Sequence, residues 1–395
     1  MDLSFSPREE AFRRELRAWL STNVPSAWGD SAEPERLADE VALLIEWQKR
    51  LYAGGWVGVH WPAEFGGRGA TVVENYIFQE EMARAKAPEI IGRIGVNLVG
   101  PTLIAHGSAV QKRRYLRPIL AAEEIWCQLF SEPNAGSDLT ALRCKAERDG
   151  DSFVVNGQKV WTSYAQFAAW GILLARTDAT APKAKGISFL IVDMRSPGIT
   201  IRPLRQMTGS EEFNEVFLEN VRVPADNLVG ELNHGWEIAQ TTLTHERGTS
   251  ARQLVAHRIL LDELIGLART RHVGDTLASA DPLVRQRLAQ AVLEVELVKL
   301  HNWRTLTNLL RHGKPGPQSS LVKLFWSEMS QRLHDTAMDI LGTHGVLENG
   351  DARAISRSRW PRSYLYYRAG TIFAGTSEIQ RNIIAERVLG LPRSR

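Results

Sequence analysis

The hydrophobic pattern of this chain changes its period twice. Up to about residue 124, apolar side chains recur at helical spacing, as in RLADEVALLIEWQKRLYAG. Between residues 125 and 230, turn-forming residues alternate with short apolar runs such as GISFLIVDM, which is typical of strands. The helical period then returns. The pattern predicts an α+β fold with an N-terminal helical domain (1–124), a middle antiparallel β domain (125–230) and a C-terminal helical domain (231–395).

Local signals predict where several helices begin. Ser6 and Glu9 have the spacing of a capping box at the start of the first helix. Asp281, followed by a proline, predicts the start of a long helix that the stretch HGKPGPQSS interrupts. Ser377 and Gln380 predict a second capping box for the last helix.

Composition limits the class of protein. The chain has 395 residues, of which 44% are hydrophobic and 24% charged, as in an ordinary soluble globular protein. Its 48 basic and 45 acidic side chains leave a net charge of +3, a small excess that argues against nucleic acid as the main partner. Cys127 and Cys144 are too few for a disulfide framework and are not spaced as a metal pair. With no signal peptide and no apolar run of membrane-spanning length, we expect a cytoplasmic protein.

Two segments of the β domain have the chemistry of a binding site. LFSEPNAGSDL, residues 129–139, combines small residues that allow close backbone approach with the hydroxyls of Ser131 and Ser137. NGQKVWTS, residues 156–163, opens with an Asn-Gly pair that predicts a two-residue hairpin turn, and it carries Trp161 with two further hydroxyls. Taken singly, the first segment fits a surface turn and Trp161 fits a core position. Together they favour a ligand site.

These two segments resemble the flavin-binding signature of the acyl-CoA dehydrogenase family. In that family a Thr/Ser-Glu-Pro-x-Ala-Gly-Ser-Asp loop is followed by Asn-Gly-x-Lys-x-Trp and Thr/Ser, and this chain has CQLFSEPNAGSD and NGQKVWTS in the same order. The closing GTSEIQR also matches, so the resemblance covers essentially the whole chain. It implies the acyl-CoA dehydrogenase fold with a C-terminal four-helix bundle, FAD as cofactor, and dehydrogenation of an acyl-CoA thioester to the 2-enoyl-CoA.

By this resemblance the FAD contacts come from several parts of the chain. Family positions around the flavin ring fall in the two β-domain motifs, and positions that contact the cofactor of the partner subunit fall in the segments RHVGD and DILGTHG, which depart from the family pattern. Two more lie in GTSEIQR. The implied cofactor residues are Phe130, Ser131, Gly136, Ser137, Trp161, Thr162, Ser163, Arg271, Asp339, Gly342, Thr376 and Glu378.

The implied reaction needs one carboxylate to take the α proton while the β hydrogen leaves as hydride to flavin N5. Many family members carry this base as the Glu of Glu-Gly-Thr, where this chain has Ala374. Another branch, which includes isovaleryl-CoA dehydrogenase-like and sterol side-chain enzymes, carries it in a Glu-Arg pair on a C-domain helix, and LTHERGTSA matches that pair with Glu246 and Arg247. A helix glutamate is by default solvated, but no cation lies three or four residues from this one. We predict Glu246 as the base.

The substrate contacts implied with this base are Ser137, Thr244, Arg247, Ala374 and Gly375. The Ala374 backbone N–H would polarise the thioester carbonyl, a role that needs no side chain. Arg247 would shape the site or hold CoA, and Ser137 would face a phosphate or the acyl-CoA.

The partners implied are an acyl-CoA substrate, an electron-transfer flavoprotein as electron acceptor, and three more copies of the chain in a homotetramer, with a heterotetramer as the alternative. A second interpretation is a catalytically silent flavoprotein subunit, or a relative that binds acyl-CoA or nucleic acid. Nucleic acid is suggested by residues 352–370, which hold five arginines, four aromatics and no acid. An acyl-CoA oxidase is a third, less favoured because the long C-terminal extension of that relative is missing.

Overall fold

The computed structural model describes residues 4–25, 37–246, 251–313 and 316–392, with the side chains of residues 245 and 246 outside the description. The chain divides into two compact units. The helical unit comprises residues 1–17, 72–85 and 247–395, and the sheet unit comprises residues 18–71 and 86–246. Each unit thus combines segments that are distant in sequence, and the predicted domain limits near residues 124 and 230 stay predictions.

Helices dominate the first third of the chain. The first of them begins as predicted, because the Ser6 N–H donates to Glu9 Oε2 at 2.7 Å and the Glu9 N–H donates to Ser6 Oγ at 3.4 Å. This reciprocal capping box satisfies two backbone donors that a helix start leaves free. The helices are α1 (Pro7–Asn23), α2 (Leu37–Ala53), α3 (Val72–Arg84), α4 (Gly100–His106) and α5 (Ala109–Leu120).

The sheet unit contains a mixed β-sheet. Its strands are β1 (Trp126–Leu129), β2 (Lys145–Asp149), β3 (Ser152–Ser163), β4 (Trp170–Arg176), β5 (Ile187–Asp193), β6 (Ile199–Leu204), β7 (Phe213–Pro224) and β8 (Leu228–Val229). They are ordered β6-β7-β3-β2-β4-β5-β8, and β1 also pairs with β4. The predicted antiparallel pairing is correct for most neighbours, whereas β1 and β2 each pair with β4 in parallel. The apolar runs of β4 and β5 are buried almost throughout, as expected for strands covered on both faces.

The predicted hairpin turn at Asn156–Gly157 is wrong. Both residues lie inside β3, and the turn between β2 and β3 is instead formed by Gly150–Asp151. Asn156 Oδ1 accepts the N–H of Asn220 where the pairing of β3 with β7 shifts register. A Cβ on Gly157 would lie 2.7 Å from the Cα of Cys144, so this glycine permits close packing of strands. An Asn-Gly pair serves a turn and a bulge equally well, because both use residues that tolerate unusual backbone.

Helices return after the sheet. They are α6 (Gly235–Glu246), α7 (Ala251–Ala268), α8 (Pro282–His312), α9 (Ser319–Leu341), α10 (Arg359–Tyr366) and α11 (Ser377–Ile383), with a small hairpin of β9 (His272–Val273) and β10 (Thr276–Leu277). Asp281 Oδ1 accepts the N–H groups of Leu283 and Val284 at 2.9 Å, which confirms the predicted start of α8. Leu264, Met329 and other buried residues of α7, α8 and α9 form one core. None of the helices in the described ranges has the length and apolar character needed to cross a membrane.

The predicted capping box of α11 is wrong by one residue. Thr376 is the N-cap, since its Oγ1 accepts the N–H of Ile379 at 3.2 Å, and Ser377 is the first helical residue. The Gln380 side chain points back to the preceding turn instead of capping Ser377. Thr and Ser are adjacent here and both are good N-caps, so the sequence alone does not choose between them.

Candidate active site

A bulge in β3 presents the indole of Trp161 to solvent. Between residues 159 and 162, β3 has one residue more than its partner β7. Trp161 has φ 59° and is 60% exposed, whereas Thr162 beside it is fully buried. The Phe213 ring packs edge-on against the indole, with centroids 6.2 Å apart. A left-handed backbone costs a non-glycine residue about 1–2 kcal/mol. This backbone conformation exposes the Trp161 indole, and Phe213 packs against the ring. A planar cofactor can stack on such an indole.

Glu132 organises the loop that follows β1. Its carboxylate accepts the N–H groups of Arg143 at 2.7 Å and Cys144 at 2.9 Å, and its Oε1 lies 2.8 Å from the ammonium of Lys159. Lys159 is fully buried and also donates to the Phe130 carbonyl at 3.0 Å. A buried ion pair is tolerated only when further hydrogen bonds satisfy both partners, as they do here. Sequence reasoning missed this pair, although both residues belong to the two quoted motifs.

The two motifs meet at the residues predicted to surround the flavin ring. The Val160 N–H donates to the Ser131 carbonyl at 2.9 Å, which joins β3 to the loop after β1. Phe130 is buried and Ser131 half-buried, and the Ser131 N–H finds no acceptor among the described residues. The buried Thr162 Oγ1 likewise has no partner within the described part of the chain. Free donors and hydroxyls beside an exposed indole fit an isoalloxazine ring, which offers both polar edges and flat faces.

The outer part of the same loop is open to solvent. Gly136 and Ser137 are both exposed. The neighbouring Asp138 pairs with Lys183 at 2.8 Å and accepts the Thr140 hydroxyl at 2.7 Å. Lys183 first and Thr140 second lower the pKa of Asp138, which keeps it ionised. The loop is therefore anchored by Asp138 at one end and by the buried Glu132 at the other.

The residues predicted to reach a partner subunit's FAD lie in two segments of the helical unit, and the structure brings these two segments together. Arg271 Nη2 lies 2.9 Å from His344 Nδ1, within the turn that Gly342 opens with φ 53°. Asp339 is directed elsewhere, because it forms an ion pair with Arg287 of α8. Arg271 therefore lies beside the turn that Gly342 begins, and Asp339 is not part of this contact.

The turn before α11 has two successive left-handed residues, Ala374 with φ 51° and Gly375 with φ 90°. Ala374 is exposed, and its N–H finds no acceptor among the residues that the structure describes. The pKa of Glu378 is lowered, first by its own backbone N–H and second by the Thr376 hydroxyl, because both favour the ionised carboxylate. Thr376 and Glu378 also line a cavity of about 420 Å³, together with α9 residues. The predicted cofactor residues of this segment therefore face open space.

Helix α6 carries the predicted substrate and base positions. Thr242 on α6 shares a hydrogen bond of 2.8 Å with Thr102 of α4, and Thr241 lies 2.8 Å from His106, so the helix is tied to α4. The exposed Thr244 donates its hydroxyl to the Gln240 carbonyl at 2.8 Å. Glu246 is the last residue of α6, but its side chain, and Arg247 entirely, lie outside the described residues.

This chain is similar to acyl-CoA dehydrogenases over almost its whole length. Family models for the N-terminal, middle and C-terminal domains of acyl-CoA dehydrogenases match residues 6–123, 127–221 and 233–389. The chain is 42% identical to acyl-CoA dehydrogenase IpdE1 of Mycobacterium tuberculosis, over 97% of this chain and 98% of that protein. It is 31% identical to the human mitochondrial short-chain specific acyl-CoA dehydrogenase, over 88% of this chain and 83% of that one.

Two solved structures contain chains that are similar to this one in sequence and in fold. The ChsE4-ChsE5 complex from Mycobacterium tuberculosis contains a chain that is 34% identical with a TM-score of 0.85, and the steroid ACAD Tcur3481-Tcur3483 contains one that is 32% identical with a TM-score of 0.86. In both cases all of each chain is covered. The fold, the joined flavin motifs and these matches lead to one conclusion. The chain belongs to the acyl-CoA dehydrogenase family and is an enzyme of FAD-dependent acyl-CoA dehydrogenation.

Proposed function

We propose that this enzyme holds FAD against Trp161 and removes the α proton of its acyl-CoA substrate with Glu246. The observation that carries the proposal is the platform made by the exposed Trp161 together with the Ser131 N–H and the Thr162 hydroxyl, neither of which has a partner among the described residues. FAD, when bound, supplies the acceptor for the β hydrogen, a task that no side chain performs. The protein's own tasks are to orient substrate, polarise its carbonyl and take one proton.

Glu246 is the proposed base because the alternative family position cannot serve. Ala374 has a methyl group and accepts no proton, whereas Glu246 ends a helix that is fixed to α4 through Thr242. A base must reach its proton within hydrogen-bond distance, and a helix anchored in this way limits its movement. Arg247 and Thr244, on either side of Glu246 in sequence, would contact the CoA thioester.

The turn at Ala374 would polarise the thioester. The α proton is a very weak acid, so a carboxylate can remove it only while the negative charge developing on the carbonyl oxygen is stabilised by preorganised donors. The N–H of the exposed Ala374 finds no acceptor among the described residues and would be such a donor. Ser137, exposed on the flavin loop, would meet a phosphate or the CoA moiety.

For the acyl group, we propose a bulky, polycyclic thioester of the steroid class. The support is the 32% identity to a steroid ACAD that is covered over its full length. Anaerobic flavin bleaching across short linear, branched, aromatic and steroid thioesters tests this choice, and we expect the steroid thioester to bleach fastest. Fastest bleaching by a short linear thioester would contradict it. Absence of bleaching by every thioester would favour the catalytically silent interpretation.

A homotetramer in the cytoplasm, passing electrons to an electron-transfer flavoprotein, completes the proposal. Helix α8 supports association through a stripe of exposed leucines at helical spacing, Leu293, Leu297 and Leu300, which are 61%, 43% and 55% exposed. The two solved relatives named above have paired names, and the first is described as a complex, so a second acyl-CoA dehydrogenase chain is the alternative partner. Mass measurement with and without a co-expressed second chain distinguishes the two assemblies.

Nucleic acid binding by residues 352–370 has less support. Arg353 pairs with Asp351, Arg359 with Glu263 and Arg368 with Asp335, so acids within this chain neutralise three of the five arginines. A surface that tracks a phosphate backbone needs free cations. These ion pairs favour a structural role for the segment. Salt-dependent binding of a random single-stranded DNA, followed by fluorescence anisotropy, would favour the nucleic-acid interpretation.

A further inference from the structure

Lys159 is a buried cation of the sheet unit and lies on β3, the strand that carries Trp161 and Thr162. It is fully buried, and its ammonium donates to Glu132 Oε1 at 2.8 Å and to the main-chain carbonyl of Phe130 at 3.0 Å. Lys159 also lies two residues before Trp161 on β3. One side chain therefore connects the bulge that presents the indole with the loop that carries Ser131.

The hydrogen bond from Lys159 to the Phe130 carbonyl determines the direction of the Ser131 N–H. The carbonyl of Phe130 and the N–H of Ser131 belong to the same peptide group, which is planar and trans, so they point in opposite directions. With its carbonyl turned inward to Lys159, this peptide directs the Ser131 N–H to the opposite side of the loop. Ser131 is half-exposed, and its N–H has no acceptor in the described ranges.

We propose that Lys159 is a positioning residue for the flavin: its ammonium fixes and polarises the Phe130–Ser131 peptide, so that the Ser131 N–H is held ready for the electron-rich edge of the bound flavin. This inference rests on the proposed function of the platform. A charge-assisted hydrogen bond is stronger than a neutral one, and a cation on the carbonyl strengthens the N–H at the other end of the same peptide. Because negative charge collects on the pyrimidine edge when flavin is reduced, the peptide stabilises the reduced state more than the oxidised one.

Glu132 offsets the free-energy cost of burying the Lys159 ammonium. Its carboxylate balances the charge of Lys159, and its two bonds to the Arg143 and Cys144 N–H groups hold it in place. The pair as a whole is neutral, so its effect on a ligand is short-ranged and passes mainly through the Phe130–Ser131 peptide. Breaking the pair by removing only one partner is strongly destabilising. The test therefore removes both charges together.

The test compares Glu132→Gln/Lys159→Met, which keeps the size of both side chains, with Asp149→Asn/Arg222→Met. The control removes another ion pair of the same sheet, formed at 2.9 Å between side chains that are each about 60% exposed. Each purified full-length variant is examined for its fold by near-UV circular dichroism, its FAD dissociation constant, and its flavin midpoint potential by equilibration with a reference dye. In Glu132→Gln/Lys159→Met we expect the equilibrium constant for flavin reduction to fall about tenfold. This change lowers the midpoint potential by about 30 mV for a two-electron couple. The control should match the wild type.

A further variant, which keeps both charges of the pair, keeps the proposal testable if the double variant does not fold. Lys159→Arg keeps a cation and N–H donors, so its equilibrium constant for flavin reduction should stay within threefold of the wild-type value. A folded, FAD-bound double variant with an unchanged potential would overturn the proposal, as would a Lys159→Arg variant whose potential falls tenfold.

These outcomes are separate from those of the proposed function. The dye titration needs no acyl-CoA, so it reports on Lys159 even if no thioester ever bleaches the enzyme. If the wild type bleaches normally but the double variant keeps its potential, only the role of Lys159 fails. If the purified wild type binds no FAD at all, the platform itself is wrong and the role of Lys159 falls with it.

Discussion

The side-chain amide of Gln380 donates to the main-chain carbonyl of Ala374 at 3.1 Å. It also donates to the carbonyl of Gly375 at 3.2 Å, and Gln380 is only 1% exposed. The first turn of α11 thus closes the turn before it, in which both residues have left-handed backbone. At the position where many relatives carry a carboxylate, this chain holds a backbone shape instead, and a buried amide maintains it.

Replacing Ala374 by glycine should stabilise the protein. A left-handed conformation costs alanine about 1 kcal/mol and glycine almost nothing, so we expect the free energy of unfolding to rise by about 0.5 kcal/mol after the greater chain entropy of glycine is counted. Urea unfolding measures the change. Ala289→Gly is the matched control, because Ala289 is exposed inside α8, where glycine should lower the same free energy by about 1 kcal/mol. A loss of stability in both variants would show that the turn at Ala374 is not left-handed.

Acid should destabilise the helical unit through His334. This ring is buried, donates from Nδ1 to the Ser330 carbonyl at 2.7 Å and stacks on Tyr367 with centroids 4.8 Å apart. Burial lowers the pKa of His334 from 6.5 to about 4. The unfolded chain therefore binds a proton below pH 6.5 that the folded chain refuses until about pH 4, so stability is lost as pH falls through this window.

Between pH 7 and pH 5 this effect should cost about 2 kcal/mol of unfolding free energy. His334→Phe keeps the ring stacking and cannot titrate, so its loss over the same interval should be smaller by that amount. Urea unfolding at the two pH values gives the comparison. The exposed His272 provides the control, and His272→Gln should retain the wild-type slope. An unchanged slope in His334→Phe would contradict the assignment.

A charge in the middle of the leucine stripe should break the oligomer. Leu297 lies between Leu293 and Leu300 on the exposed face of α8, so Leu297→Glu would place a carboxylate in the contact. We expect light scattering after gel filtration to show a tetrameric mass for the wild type and a smaller one for the variant. Leu310→Glu, on the same helix and 58% exposed but about 100° away from the stripe, should stay tetrameric. A tetrameric Leu297→Glu would move the interface elsewhere.

Strong local signals predicted much of the fold. The capping residues Ser6 and Asp281 begin their helices where the sequence indicates, because a side chain that satisfies free backbone donors acts within a few residues. Sequence signals that are compatible with two local structures led to wrong predictions. Asn156–Gly157 lies in a strand, and the helix start at Thr376 was assigned to its neighbour.

The sequence predicted only those residues of the candidate site whose role follows from a recognisable motif. The sequence resemblance brought Ser131 and Trp161 together, and the structure places them on joined segments. The ion pair of Glu132 with Lys159 links residues 27 positions apart, and its importance comes from burial, which a single sequence does not reveal. Whether Arg271 reaches a cofactor depends on a second subunit, so it stays a prediction.

The most direct test of the central claim is anaerobic flavin bleaching by the best acyl-CoA in wild type and in Glu246→Gln. We expect both proteins to be purified yellow with equal FAD content, the wild type to be bleached, and Glu246→Gln to stay yellow or to bleach at least a thousandfold more slowly, since it lacks the base. Glu237→Gln, an exposed glutamate of the same helix, should bleach like the wild type. Bleaching of Glu246→Gln at the wild-type rate would contradict the account.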